Sequence, residues 1–202
     1  MGEKEEGGRL VGMFLIVRVV VRDMQYFMVN SHFFRALATQ PDDYSLDGML
    51  YTLMELTNSI TAHIFPALPS EPTLTHTTST LSNPPPPSKD MLAAEILIPP
   101  PNPSFPHPYL YVSNRYNPGT EGDTIAIYSL VDKEKPALIN EVHTGLKHVR
   151  GMEFGGESGK WLAVGGLLGG GVKIFERIEG GRDLKVVAEN ETIEAPAGFL
   201  WM

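Results

Sequence analysis

Two charged residues, Glu55 and Arg115, occupy the same place in two copies of a repeated strand pattern. Each ends an apolar run that alternates as a β-strand does, at residues 50–55 in one copy and 110–115 in the other. A carboxylate can move a proton to or from a reacting group while a neighbouring guanidinium holds an anion. The same two residues could instead form an ion pair between structural units, or lie separately in solvated loops. The spacing alone leaves these alternatives open.

The strand pattern occurs a third time, so the chain contains a repeat. Sixty residues separate Leu50 from Leu110, and 51 separate Leu110 from Trp161. A second alternating run follows each copy after a short turn, at residues 59–65, 123–128 and 172–177. Period-two alternation with frequent turn signals is typical of all-β proteins, and this repeat spacing is typical of β-propeller blades with loop insertions.

The repeat predicts an all-β fold, a partial β-propeller of about three four-stranded blades. We expect the blades at approximately residues 48–98, 109–154 and 160–202, with each repeated run as the first strand of its blade, lining the central channel. Residues 1–47 do not fit the repeat and are expected to form an atypical N-terminal segment, either a substitute strand or poorly ordered. Closed propellers have roughly four to eight blades. The chain is therefore expected to be truncated, with self-association through its open blade edges.

Composition limits the classes of partner and compartment. The net charge of −8 and the pI of about 5.2 argue against nucleic acid or an anionic membrane as the main partner. The sequence contains no cysteine, which excludes disulfides, zinc–thiolate sites and thiol nucleophiles. Its start is acidic, and the apolar run at residues 11–21 is interrupted by Arg18 and too short to span a bilayer. We expect a cytoplasmic protein.

Two glycine-rich stretches and the histidines do not predict a cofactor or metal site. Residues 156–160 resemble a phosphate-binding loop, but Trp161 follows where Ser or Thr is required. Residues 165–171 join strand to strand, whereas a nucleotide-binding loop precedes a helix. His143 and His148 flank a turn, but no third ligand accompanies them. The sequence therefore predicts neither a cofactor nor a metal.

Four segments resemble a known family of propellers. The chain is similar to the lactonase-type seven-bladed β-propellers, which include bacterial 6-phosphogluconolactonase and the fungal carboxy-cis,cis-muconate cyclase. The similarity covers roughly residues 48–202 and corresponds to the C-terminal blades of that family. The segments that carry it are residues 50–58 (LYTLMELTN), 109–115 (YLYVSNR), 149–152 (VRGM) and 198–201 (GFLW).

The resemblance implies a set of site residues. Glu55 matches a glutamate of the muconate cyclase site and would serve as acid–base partner or polar orienter. Arg115 matches one of its arginines and would hold a substrate carboxylate or phosphate. Arg150 matches an arginine typical of the bacterial lactonases, and Asn114 and His148 complete the predicted substrate-binding set.

The resemblance also implies a reaction on a small lactone or carboxylate substrate. Either water opens a lactone ring, or a carboxylate adds to an alkene and closes one, and neither reaction needs a cofactor. Two alternatives are a non-catalytic propeller fragment, inactive by itself, and an interaction module whose proline-rich loop at residues 84–87 binds a partner.

Overall fold

The computed structural model describes strands Met24–Val29 and His32–Ala38 together with residues 48–66, 71–83 and 91–202. These parts of the chain contain β-strands and two single-turn 3-10 segments, Glu157–Gly159 and Glu179–Gly181. None of the helical segments in the described residues is long and apolar enough to cross a bilayer. The strands are β1 (Met24–Val29), β2 (His32–Ala38), β3 (Met49–Met54), β4 (Ser59–Ile64), β5 (Thr73–Ser79), β6 (Leu92–Leu97), β7 (Tyr109–Arg115), β8 (Thr124–Ser129), β9 (Ala137–His143), β10 (Lys147–Gly155), β11 (Trp161–Gly169), β12 (Gly171–Ile178) and β13 (Asp183–Asn190).

The strands form three antiparallel sheets in which sequential strands are neighbours. The first sheet has the order β1-β2-β3-β4-β5, the middle sheet β6-β7-β8-β9 and the last sheet β10-β11-β12-β13. Strand β6 packs against β2 and β3, and β10 packs against β6 and β7, so the sheets stack face to face. The predicted all-β, partial propeller fold is confirmed.

The strands are divided among the sheets differently from the prediction. The strand expected to end each of the first two blades is instead the first strand of the next sheet. Residues 92–97, expected to end the first blade, instead pair with β7, with Ile96 opposite Val112. Residues 147–155, expected to end the second blade, pair with β11, with Met152 opposite Val164. None of the repeated runs is therefore the first strand of its sheet: β7 and β11 are second in theirs, and β3 is third in the five-stranded sheet.

The physical reason for this difference lies in the proline-rich stretch between β6 and β7. The prolines of residues 99–108 are typical of a boundary between blades, but a hairpin connection needs no ladder donors from its own residues and tolerates proline well. Two strands lie within the atypical N-terminal segment: β1 pairs with β2, and β2 pairs with β3. The other residues of that segment and the proline run at 84–87 lie outside the described part of the chain. The expected cytoplasmic location and self-association stay predictions.

The middle sheet is buried on both faces by two apolar clusters. Leu110 and Val112 of β7 join a cluster with the first sheet, whereas Tyr111 joins a second cluster with β10–β12. Because successive side chains of a strand point to opposite faces, a strand covered on both sides needs a continuous apolar run rather than alternation. All residues of β7 are buried, which explains its sequence YLYVSNR. Each large apolar side chain buried there contributes about 1.5–3 kcal/mol.

An arginine at one end of the stack ties the middle sheet to the last sheet. Arg177 is 4 % exposed; its Nε donates to the Tyr111 hydroxyl at 3.1 Å, and its guanidinium lies 3.9 Å from the centre of the Phe105 ring. Tyr111 in turn donates to the carbonyl oxygen of Gly181. Burial raises the pKa of Tyr111 to about 12, although Arg177 opposes that shift. This cation–π and hydrogen-bond cluster fixes the relative position of the two sheets.

The C-terminal segment, residues 196–202, crosses glycines on the face of the last sheet that points away from the middle sheet. A β-carbon at Gly155 would overlap the indole ring of Trp201. A β-carbon at Gly165 would lie 2.9 Å from the ring of Phe199. The segment therefore docks only because these strand positions carry no side chain.

We expect Gly155→Ala to undock the C-terminal segment. The added methyl group would displace the Trp201 indole, which donates its Nε1–H to the carbonyl oxygen of Glu153 at 3.2 Å. The tryptophan emission maximum should shift to longer wavelength, and overpacking should lower the free energy of unfolding by about 1–3 kcal/mol. Gly198→Ala is the matched control, since a β-carbon there meets nothing within 4 Å. Equal spectra for the two variants would contradict this docking.

Candidate functional site

Three sheets meet at one end of the stack, where the predicted site residues lie. Glu55 follows the last residue of β3 in the turn to β4, and Arg115 is the last residue of β7. His148 is the second residue of β10. Because the strands are antiparallel, the start of β6 lies beside the end of β7, with Leu92 opposite Arg115. Each of the three sheets thus contributes one of the predicted residues Glu55, Arg115 and His148.

Arg115 links the other two residues. Its Nη2 donates to Glu55 Oε1 in an ion pair, and its Nη1 lies 3.3 Å from His148 Nε2. The side chain of Arg115 is 5 % exposed and that of Glu55 is 25 % exposed. A buried guanidinium is costly unless it is paired, so Glu55 compensates the charge of Arg115. The carboxylate remains the member of the pair that solvent reaches.

The contact with Arg115 fixes the tautomer of His148. A guanidinium can only donate hydrogen bonds, so Nε2 must be the acceptor and Nδ1 carries the proton. Burial lowers the pKa of His148, Arg115 and Arg150 lower it further, and Asp123 and Glu55 oppose the shift. His148 is therefore a neutral imidazole at neutral pH.

The ring of Tyr116 packs against this pair. It meets the His148 ring edge-on, with centroids 4.7 Å apart and an interplanar angle of 79°. The Arg115 guanidinium carbon lies 5.6 Å from the centre of the same ring. Tyr116 thus limits the orientations open to both residues.

Two nitrogen donors at the site have no hydrogen-bond partner. Arg115 Nε and His148 Nδ1 are buried atoms left unpaired. A buried donor without an acceptor costs about 1–3 kcal/mol, and such groups are characteristic of functional sites or of a bound water. The arrangement can therefore accept an oxygen atom of a ligand or of water.

The other two predicted substrate-binding residues are placed differently. Asn114 is fully buried, and its Nδ2 donates to the carbonyl oxygen of Thr80 at 2.8 Å and to Thr124 Oγ1 at 3.3 Å, a link between the first and middle sheets. Its Oδ1 is unpaired. Arg150 is exposed, two residues beyond His148, and acts on that ring through its charge. The structure therefore brings Arg115 into contact with both Glu55 and His148, whereas Asn114 bonds to Thr80 and Thr124 and Arg150 is exposed.

Sequence reasoning missed two residues of the site, Tyr116 and Asp123. Tyr116 is adjacent to Arg115 and has a positive φ of 62°. Asp123 is 2 % exposed and accepts hydrogen bonds from two backbone N–H groups. The only signal in the sequence was a Gly-Asp pair at the end of the turn that follows Arg115, where a carboxylate often bonds to the backbone.

Comparison with known families decides the assignment of the chain. A family model described as lactonase, seven-bladed β-propeller, matches residues 35–201. The chain belongs to the lactonase family. The match begins within β2, earlier than residue 48, in agreement with the pairing of β2 onto β3.

Solved structures share the fold of this lactonase-family chain at low sequence identity. A protein from Lactobacillus plantarum has a TM-score of 0.66 and 15 % identity, and the match covers 89 % of this chain and 56 % of that one. A protein from Bacteroides fragilis, provisionally named a 6-phosphogluconolactonase, has a TM-score of 0.60 and 18 % identity over 78 % of this chain and 39 % of that one. The periplasmic gluconolactonase of Pseudomonas aeruginosa has a TM-score of 0.62 and 11 % identity over 86 % and 52 %.

These likenesses establish the fold. The lactonase-family chain corresponds to between 39 % and 56 % of the lengths of those three structures. No curated protein gives a significant match to the sequence.

The lowered pKa of His148 predicts how stability depends on pH. Between the folded pKa and 6.5, the unfolded chain binds a proton that the folded chain does not, so the free energy of unfolding falls as pH drops through 6.5. His148→Asn, which suits the positive φ at this position, should show a shallower loss between about pH 7 and 5.5 in urea titrations. His63, whose pKa burial also lowers, leaves a residual slope.

Val131→Ala is the control for that measurement, because Val131 is 75 % exposed and carries no titratable group. The control should keep the wild-type slope. A His148→Asn slope equal to that of the control would show that His148 is not held neutral by the fold.

Proposed function

We propose that this chain carries a site for the cofactor-free hydrolysis of a small lactone, with Glu55 as the group that activates water. The observation that carries the proposal is the contact of Arg115 with both Glu55 and His148, which leaves the carboxylate at the solvent-accessible end of three sheets. Membership of the lactonase family supports the same reaction class. A carboxylate held by a buried guanidinium is oriented before the substrate arrives.

The chemistry can be written with the residues of this chain. Glu55 takes a proton from water as the water oxygen attacks the carbonyl carbon of the lactone. The ring C–O bond then breaks, and the protonated Glu55 returns the proton to the ring oxygen, which becomes the hydroxyl of a hydroxy acid. The carboxylate ends in its starting state, so no cofactor or other reactant is consumed.

The other residues would stabilise charge and bind the substrate. The negative charge that develops on the carbonyl oxygen can be stabilised by the unpaired N–H groups of Arg115 and His148. The exposed Arg150 suits a phosphate or carboxylate group elsewhere on the substrate. Asn114 would act indirectly, since it is fully buried and bonds to Thr80 and Thr124.

The substrate that best fits these charges is a sugar lactone with an anionic substituent. The names of the Bacteroides fragilis and Pseudomonas aeruginosa proteins refer to 6-phosphogluconolactone and gluconolactone, and we extend that substrate class to this chain as a proposal. The same residues could serve lactone formation of the muconate cyclase type, in which a substrate carboxylate replaces water as the nucleophile.

A second candidate function is non-catalytic. The ion pair between Arg115 and Glu55 joins two sheets, and Arg115 is almost completely buried. Such a pair could serve only to hold adjacent blades together, in a chain that depends on other blades for activity. Removal of either partner would then affect stability without any effect on lactone turnover.

Lactone hydrolysis by the wild type and by two variants distinguishes these functions. We expect the wild type to hydrolyse 6-phosphogluconolactone above the spontaneous rate. Glu55→Gln keeps the shape of the side chain but removes the base, and Arg115→Lys keeps the charge but loses the fork that contacts two partners. Each should lower kcat/KM by about 10²-fold. Glu55→Gln should act mainly on kcat.

Lys185→Ala provides the control, because Lys185 is exposed on β13 and lies opposite Glu176, at the end of the last sheet where the Arg177 cluster lies. It should keep wild-type activity. A wild-type rate equal to the spontaneous rate, with the folded state verified by circular dichroism, would leave only the non-catalytic function. A muconate substrate assayed in parallel tests the lactone-forming reaction.

A further inference from the structure

The contact between Arg115 and His148 depends on two backbone positions with a left-handed conformation. Tyr116, directly after Arg115, has φ of 62°, and His148 itself also has φ of 62°. Non-glycine residues rarely adopt this conformation, and it persists only where the surrounding structure holds it in place. Something must therefore hold both segments.

The carboxylate of Asp123 contacts the residue that follows each left-handed position. Its Oδ1 accepts the N–H of Asn117 at 2.9 Å, directly after Tyr116. Its Oδ2 accepts the N–H of Val149 at 3.0 Å, directly after His148. One side chain thus bonds to the backbone of both segments, which belong to different sheets.

The backbone of Asp123 strengthens this link. Its carbonyl oxygen accepts both the N–H and the hydroxyl of Thr144 at 2.8 Å, and its own N–H donates to the carbonyl oxygen of Leu146 at 2.8 Å. A β-carbon at Gly122 would lie 2.8 Å from Gly145, so only glycine permits the two segments to approach this closely. The loop after β7 and the connection between β9 and β10 are therefore joined as one unit.

We propose that Asp123 is a positioning residue that sets the contact between Arg115 and His148 by holding the backbone on both sides of it. The role in catalysis rests on the proposed function, whereas the geometric role does not. Both carboxylate oxygens are required, because each accepts a different N–H group. An asparagine at this position has one acceptor oxygen, and its NH₂ group would face the other N–H.

The titration of His148 separates a positioning role from a purely electrostatic one. The charged groups that act on this ring are Arg115, Arg150, Asp123 and Glu55. If Asp123 supplied only its negative charge, its loss would lower the pKa of His148 further. If Asp123 positions the ring, its loss releases His148 from burial and from Arg115, the two largest causes of the lowered pKa, and the pKa rises.

The experiment is an NMR titration of the His148 Cε1–H signal in the wild type and in Asp123→Asn. The signal is assigned by its disappearance in His148→Asn. We expect the pKa of His148 to rise toward 6.5 in Asp123→Asn, because burial and Arg115 no longer lower it. A fall, or no change, overturns the positioning role. This readout needs no substrate, so it is independent of the success of the lactonase assay.

Thr144→Val serves as the matched control. It removes the hydroxyl that donates to the carbonyl oxygen of Asp123 and accepts the N–H of Leu146, but leaves the Asp123 carboxylate in place. It should lower stability while the pKa of His148 stays at the wild-type value. If the wild type hydrolyses a lactone, Asp123→Asn should also lose about 10²-fold in kcat/KM and Thr144→Val should not. An equal pKa shift in both variants would indicate general loosening and overturn the proposal.

If Asp123→Asn does not fold, the His148 titration can be made in a protein that also carries Tyr116→Gly. Tyr116→Gly places glycine, which adopts positive φ without strain, at one of the two held positions. The His148 titration is then compared between Tyr116→Gly and the double variant with Asp123→Asn. The same upward shift is expected there, and its absence overturns the proposal in this background too.

Discussion

The structure depends on the burial of the middle sheet between two apolar clusters. A sheet covered on one face could slide or twist relative to its neighbour, but one covered on both faces has a position fixed from both sides. The fully buried strand β7 is the element that both clusters share, through Leu110 and Val112 on one face and Tyr111 on the other. The end of that strand is therefore a well-fixed point, and Arg115 stands there.

From this point the side chain of Arg115 reaches in two directions. It bonds to Glu55 from the first sheet and to His148 from the last, so the ion pair and the imidazole contact are a consequence of how the sheets stack. The Arg177 cluster fixes the opposite end of the middle and last sheets. Because Arg115 and Arg177 lie at opposite ends of β7, a substitution at the candidate site leaves the Arg177 link between these sheets in place.

Some of this could be predicted from the sequence. The alternation of apolar residues identified the strands, since side-chain period is a local property. The repeat placed Glu55 and Arg115 at equivalent ends of neighbouring repeats, and their ion pair is one of the alternatives that the spacing left open. The assignment of residues 92–97 to the first sheet was wrong because pairing across a proline-rich loop is not visible in a local pattern. The contact between His148 and Arg115 requires a left-handed backbone conformation at His148, which the sequence does not predict. The role of Asp123 could not be predicted because its carboxylate bonds to backbone N–H groups, which almost every residue has.

The distribution of Glu55, Arg115 and His148 over three separate sheets has a mechanical consequence. Their hydrogen bonds tolerate displacements of only a few tenths of an ångström, whereas apolar contacts between sheets survive larger relative movements. A small movement of one sheet relative to the next therefore breaks the hydrogen bonds among these three residues, while the strands and both apolar clusters remain formed. On heating or in denaturant, we therefore expect the contacts of Arg115 with Glu55 and His148 to be lost before the secondary structure.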